Sequence, residues 1–141
     1  MNKDCVFCKI VAGELPSTRV YEDARTLAFM DIGPVVKGHT LVIPKAHHDP
    51  ITTTPPDLLR ELIVVVQRIA RAQFAGLGAS GVNIAQANGE SAGQIVPHVH
   101  FHVIPRFASD GHSFNWTPRQ YEQPEEMASF ADRIRQGLEA E

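Results

Sequence analysis

The sequence predicts an α+β domain, with about five largely antiparallel strands, a long helix, a C-terminal helix, and helices packed on one face of the sheet. Three observations lead there. Residues 97–105 read Pro-His-Val-His-Phe-His-Val-Ile-Pro, a strict polar–apolar alternation with the period of a half-buried strand. Four other short apolar runs, at 19–22, 26–31, 39–44 and 81–87, are set between turn residues, as strands are. Residues 56–74 place Leu59, Leu62, Val66 and Ile69, with Gln73 or Phe74, along one helical face.

The elements follow in order. Asp4 is a candidate N-cap for a short helix to about Ala12, closed by Gly13. Val6, Phe7, Ile10 and Val11 give that helix its apolar side. Glu14 to Ser17 reads as a turn. Arg19–Glu22 and Thr26–Asp31 form a hairpin, with its loop across Glu22–Arg25. Gly33-Pro34 and Lys37-Gly38 interrupt the chain before the strand His39–Pro44. Residues 49–56, rich in Pro and Thr, are loop. Pro56 suits the first turn of the long helix, and Gly76 and Gly78 end it. Strand Gly81–Ala87 leads through the glycine-bearing loop 88–94 into the histidine strand. Residues 108–124 are irregular, and a last helix from Pro124 to Leu138 carries Met127, Phe130, Ile134 and Leu138 on one side.

The chain has 141 residues, the size of one domain, and 43% hydrophobic residues, enough for a core. Its net charge of −3 and pI near 6.1 argue against a protein that wraps nucleic-acid backbone. The longest aliphatic run, Leu62–Val66, is far too short to span a bilayer, and no basic start precedes an apolar stretch. The expected setting is cytoplasmic, with neither nucleic acid nor membrane as partner. There a structural disulfide between the two cysteines, Cys5 and Cys8, is disfavoured. The pair reads as half a metal site, a redox pair, or two small apolar residues. Redox is the weakest reading, because no strand precedes the pair.

On a strand, positions i, i+2 and i+4 share a face. His98, His100 and His102 therefore line one face and Val99, Phe101 and Val103 the other. Imidazole suits proton transfer, phosphoryl attack and metal ligation near neutral pH. Three such rings in a row point to a site.

The run His98-Val99-His100-Phe101-His102-Val103-Ile104 resembles the His-x-His-x-His motif of the histidine triad family of nucleotide hydrolases and transferases. Ala28–Ile32 is similar to the family's ribose-binding strand, Gly38–Lys45 to its second strand and basic turn, and Gly93-Gln94 to the pair before the motif. The resemblance covers roughly residues 4–107, with 108–141 as a C-terminal extension carrying the last helix within the same compact unit. It implies a curved antiparallel sheet, a homodimer, and a nucleotidyl-histidine intermediate formed on His100. It makes His102 and Gln94 phosphate donors and places His39 near the α-phosphate. Asp31 is a ribose acceptor, and Phe7, Ile10, Phe29 and Ile32 form a slot for a purine base. Gly93 and Asn88 belong to the nucleotide loop. Ile95 stands where phosphoramidases of the family carry Ser or Thr, and it can neither donate nor accept a hydrogen bond.

Tetrahedral zinc takes four ligands. Cys5 and Cys8 supply two, and His47, His48 and His98 are the candidates for the rest. The resemblance favours Cys5, Cys8, His47 and His98, with His98 pinning the strand that carries His100. The leading expectation is a purine-nucleotide hydrolase acting on phosphoramidates, mixed esters or dinucleoside polyphosphates. A nucleotide-binding regulatory or adaptor protein with vestigial hydrolysis is the alternative. A third class, a hydrolase whose three strand histidines hold the metal, leaves Cys5 and Cys8 unexplained.

Overall fold

The computed structural model describes residues 2–113 and 116–141. Of the stretch expected to be irregular, 114 and 115 lie outside the described residues. The elements run α1 (Val6–Val11), β1 (Arg19–Glu22), β2 (Thr26–Met30), β3 (Thr40–Pro44), α2 (Pro56–Leu77), β4 (Gly81–Ala85), β5 (Phe101–Arg106) and α3 (Pro124–Glu139). Two 3₁₀ turns, at Ile51–Thr53 and Glu90–Ala92, fall in segments expected to be plain loop. The five strands form one antiparallel sheet in the order β1-β2-β3-β5-β4.

Helices lie on both faces of this sheet, not on one. Ala28 and Val42 point with Phe101 and Val103 toward Leu58, Leu62, Val65, Val66 and Ile69 of α2. Their strand neighbours Leu27, Phe29, Leu41 and Ile43 point the other way, onto Phe7, Cys8 and Ile10 of α1. A strand clad on both faces reads as a continuous apolar run. Leu41-Val42-Ile43, all buried, is that run.

The start of the histidine strand also differs from expectation. Ladder pairing with β3 begins at Phe101, opposite Val42. Pro44, near the end of β3, has no N–H to extend the ladder, and the Val99 N–H instead donates to His48 O at 2.7 Å. His98 and His100 therefore lie in a segment that leaves β3 before the ladder forms. The alternation survives all the same. The His100 and His102 rings are neighbours at 5.0 Å, while Val99 and Val103 are fully buried.

Helix α1 is capped by Cys5, not Asp4: Cys5 Sγ accepts the Cys8 N–H at 3.4 Å. Helix α2 runs three residues past Phe74, to Leu77, and ends at Gly78 in the left-handed conformation (φ 67°). Gly38 has φ +105°, and a Cβ there would meet Leu77 Cδ1 at 2.7 Å and Pro105 Cγ at 2.8 Å. Only glycine lets the chain enter β3 beneath α2 at that point. Helix α3 buries none of its residues. No helix among the described residues is long and apolar enough to cross a membrane.

Candidate functional site

Two adjoining centres share the α1 face of the sheet. The first is a cavity of about 500 Å³. Phe7 and Ile10 of α1 and Phe29 of β2 line its apolar end, Asp31 and Ile32 stand at the end of β2, and Gly93, His100 and His102 complete it. Six of the expected binding residues and two of the expected catalytic histidines thus meet in one place. Phe7, Ile10 and Phe29 are also buried core residues, so packing and lining are the same job there. Ile32 is fully exposed at the rim.

Hydrogen bonds settle the ring tautomers. His100 Nδ1 lies 2.7 Å from the carbonyl of His98. A carbonyl only accepts, so Nδ1 carries the proton and Nε2 keeps its lone pair. The Val35 N–H donates to His39 Nδ1 at 3.2 Å, so in the neutral ring the proton is on His39 Nε2. That N–H donates to His102 Nδ1 at 2.9 Å. His102 then carries its own proton on Nε2, the remaining donor of the pair. Burial pushes His102 down to about 4, with the neighbouring His100 and His39 adding to the effect. Burial likewise lowers His100 and His39 from the usual histidine range. At neutral pH the site therefore holds uncharged rings: one bare nitrogen on His100 and one N–H donor on His102.

Three expected site residues stand elsewhere. His39 is almost fully buried and does not line the cavity; its ring nitrogens are taken up by Val35 and His102. Gln94 Nε2 donates to Asp49 Oδ1 at 2.7 Å and to Val96 O at 3.0 Å, and its Oε1 accepts the Gly89 N–H at 2.7 Å. Its amide braces the loop and leaves the backbone of Gly93 to face the cavity. Asn88 Oδ1 accepts the Ile51 N–H at 2.8 Å and its amide pairs with Gln86, so Asn88 ties the loop to the turn before α2. The sequence reading also missed Leu15 and Ser17 on the cavity wall and Asp49 as the anchor of Gln94. A leucine in the Glu14–Ser17 turn was the one available signal. Arg106 is held by Asp110 and Asn83 at the strand end, away from the cavity.

The second centre is metal-like. Cys5, Cys8, His47 and His98 each present a donor atom, all within 4.8 Å of one another. Cys5 Sγ lies 3.4 Å and Cys8 Sγ 3.6 Å from His98 Nδ1, and Cys8 Sγ lies 3.4 Å from His47 Nδ1. Zinc bonds of about 2.3 Å to sulfur and 2.0–2.1 Å to nitrogen, at a tetrahedral angle, separate S from N by about 3.5 Å. The four donors fit that ion. The His98 Nε2–H donates to Pro44 O at 2.8 Å, turning the lone pair of Nδ1 toward the two sulfurs. The histidine doublet resolves itself: His47 reaches the cysteines, while His48 offers its carbonyl to Val99.

Known proteins match this architecture closely. The model of the HIT domain matches residues 12–109. A Bacillus subtilis protein named Protein hit is 42% identical over 138 residues, 96% of this chain and 95% of its own. An adenosine 5'-monophosphoramidase of Schizosaccharomyces pombe is 37% identical over 131 residues, 92% of this chain and 95% of its own. The crystal structure of a zinc-bound histidine triad family protein from Mycobacterium smegmatis superposes with a TM-score of 0.75 at 44% identity, covering 98% of both chains. With its three alternating histidines, its cavity and its match over most of the length, the chain belongs to the histidine triad, or HIT, family.

Proposed function

We propose that the protein is a nucleotide hydrolase that cleaves purine nucleotide derivatives at the α-phosphate and releases a nucleoside monophosphate. The observation that carries this reading is the 2.7 Å bond from His100 Nδ1 to the His98 carbonyl, which leaves Nε2 as the nucleophile on the cavity wall. Its lone pair attacks the α-phosphorus, the bond to the leaving group breaks, and the leaving group takes the electron pair. The imidazole becomes positively charged as it is nucleotidylated, and the carbonyl on Nδ1–H stabilises that charge. Water then displaces His100. Two displacements replace one difficult step. His102 Nε2–H and the backbone around Gly93 donate to the non-bridging oxygens, whose charge grows in the transition state. Asp31 Oδ1 is held by the Gly33 N–H at 2.8 Å, and Oδ2, 3.6 Å from His39 Nε2, is the oxygen that accepts from ribose hydroxyls. Phe7, Ile10, Phe29 and Ile32 take the base. The S. pombe relative, named an adenosine 5'-monophosphoramidase, supports phosphoramidates as one substrate class, with mixed esters and dinucleoside polyphosphates as the others.

Zinc, held by Cys5, Cys8, His47 and His98, is the resident metal in this reading. When bound it neutralises two thiolates and clamps α1 to the segment that carries His100. All residues with an assigned role fall within 1–107. Residues 108–141 form an extension, and the assembly is a homodimer through α2 and β4.

The test is a hydrolysis panel with an adenosine phosphoramidate and a dinucleoside tetraphosphate. The wild-type protein releases AMP, and rapid quench with intact mass shows a transient adduct of one nucleotidyl group. His100→Ala abolishes both, with AMP binding and zinc content retained. AMP release by His100→Ala, or zinc lost with that ring, overturns the covalent mechanism. Wild-type protein that binds AMP but turns over nothing in the panel identifies a binding protein instead.

A further inference from the structure

We infer that metal binding at Cys5, Cys8, His47 and His98 and nucleotide binding in the cavity are one coupled equilibrium, joined by α1 with Phe7 as the positioning residue between them. The inference rests on the nucleotide reading above and on the fit of the four donors to zinc.

Helix α1 has only six residues, too few to hold its shape alone. Its side chains serve both centres. Cys5, its N-cap, and Cys8 belong to the metal cluster, while Val6, Phe7 and Ile10 line the cavity. Phe7 lies between the two cysteines in sequence and between the two centres in space. Its ring stands edge-on to His98 at 5.7 Å, to His100 at 5.1 Å and to Phe29 at 5.5 Å. The backbone repeats the link, because the residue that offers Nδ1 to the metal cluster also offers its carbonyl to His100. At its C-terminal end α1 is held by a charged hydrogen bond from Arg19 Nη2 to Ile10 O at 2.9 Å and by the Glu14 N–H on Lys9 O at 2.9 Å.

Each ligand therefore needs the same short segment in the same place. Whichever binds first orders α1, and the second ligand meets it already ordered. Thermodynamic linkage makes the effect reciprocal: the factor by which nucleotide tightens zinc is the factor by which zinc tightens nucleotide. Bound nucleotide thereby protects the metal, and loss of the metal loosens the base slot.

The experiment uses the full zinc-loaded protein, with AMP as the probe. Zinc affinity and release rate are measured against a chromogenic chelator, with and without saturating AMP, and AMP affinity is measured by calorimetry on loaded and metal-stripped protein. Saturating AMP is expected to tighten zinc by about fivefold or more, the lower end of ordinary coupling between sites, with the same factor for AMP. Phe7→Ala keeps all four metal donors. In that variant AMP binds more weakly, but at saturation it changes zinc affinity by less than twofold. Phe29→Ala trims the base slot from the strand side and keeps the coupling. Zinc affinity that ignores bound AMP in the wild-type protein overturns the link and leaves the hydrolase reading standing. Failure of AMP to bind the loaded protein overturns both. Full coupling in Phe7→Ala overturns the role of that ring.

Discussion

A single proton separates the duties of the histidines. His39 donates through Nε2 to His102 Nδ1 because the Val35 amide occupies its other nitrogen. His39 thus acts through His102, by holding the tautomer in which His102 Nε2 is a donor. Removing a transition-state donor costs about 10²–10³-fold in kcat, the loss expected for His102→Ala. His39→Leu is expected to lower kcat in the same direction by less, with KM nearly unchanged. The double variant should be no slower than His102→Ala, because the two residues form one unit. Steady-state kinetics on the three variants check this, and additive losses would give His39 an independent contact with substrate. The residue types were legible in the sequence, but their jobs were not. The alternation placed three rings on one face, yet the proton positions depend on the carbonyls of His98 and Pro44 and the amide of Val35, which only the fold brings near. Gln94 shows the same limit. Its place beside the motif was visible, and its engagement with Asp49, forty-five residues away, was not.

Elements were read well where the pattern is local. The hairpin β1–β2 came out with its first strand as expected, because its turn is written in adjacent residues. Asp23 accepts from the Thr26 amide and hydroxyl, the Arg25 amide and the Tyr21 hydroxyl at 2.7–2.9 Å. Burial alone would raise its pKa, but these bonds, led by the Thr26 hydroxyl, outweigh burial and lower it to about 2. The folded value lies below that of an unfolded aspartate near 3.9. Stabilisation is therefore full above pH 4 and is lost as the pH falls through the folded value of about 2. Thermal melts from pH 5 to 2 should show this acid loss, and Asp23→Asn should flatten it. An unchanged slope in the variant would remove Asp23 from the acid transition. Where elements were misread, the deciding contact is distant. The pattern of α1 says that it has an apolar side but not which face of the sheet receives it. The ladder of β5 starts late because Pro44, more than fifty residues earlier, pairs with Thr26 on one side but has no N–H to offer β5 on the other.

At the scale of the whole molecule, apolar surface is left over on β4, at the end of α2 and along α3. β4 is an edge strand, with one side of its backbone unpaired. Such edges are covered or blunted in stable proteins. Ile84 points to the same face as Val82, which packs against the α2 core, yet Ile84 is half exposed. Phe74 and Leu77, at the end of α2, are half exposed as well. Farther along the chain, α3 keeps Met127, Phe130, Ile134 and Leu138 in the open. A 16-residue helix with no buried residue gains little from its own protomer. A second copy related by a two-fold axis answers these features together, since an isologous contact sets the same edge and the same patch against themselves. Joining β4 to its symmetry mate makes one ten-stranded sheet, and the apolar faces of α2 and α3 supply side-chain area toward the roughly 800 Å² per partner of a stable interface. Sedimentation velocity should therefore find a particle of twice the 15.5 kDa chain mass at micromolar concentration. Ile84→Glu, a charge on the shared edge and on the α2 face of the sheet, opposite the face of the cysteines, should shift the particle toward the monomer while zinc stoichiometry stays at one per chain. A wild-type particle of single-chain mass at every concentration would overturn the dimer. An Ile84→Glu dimer as tight as wild type would move the interface away from β4.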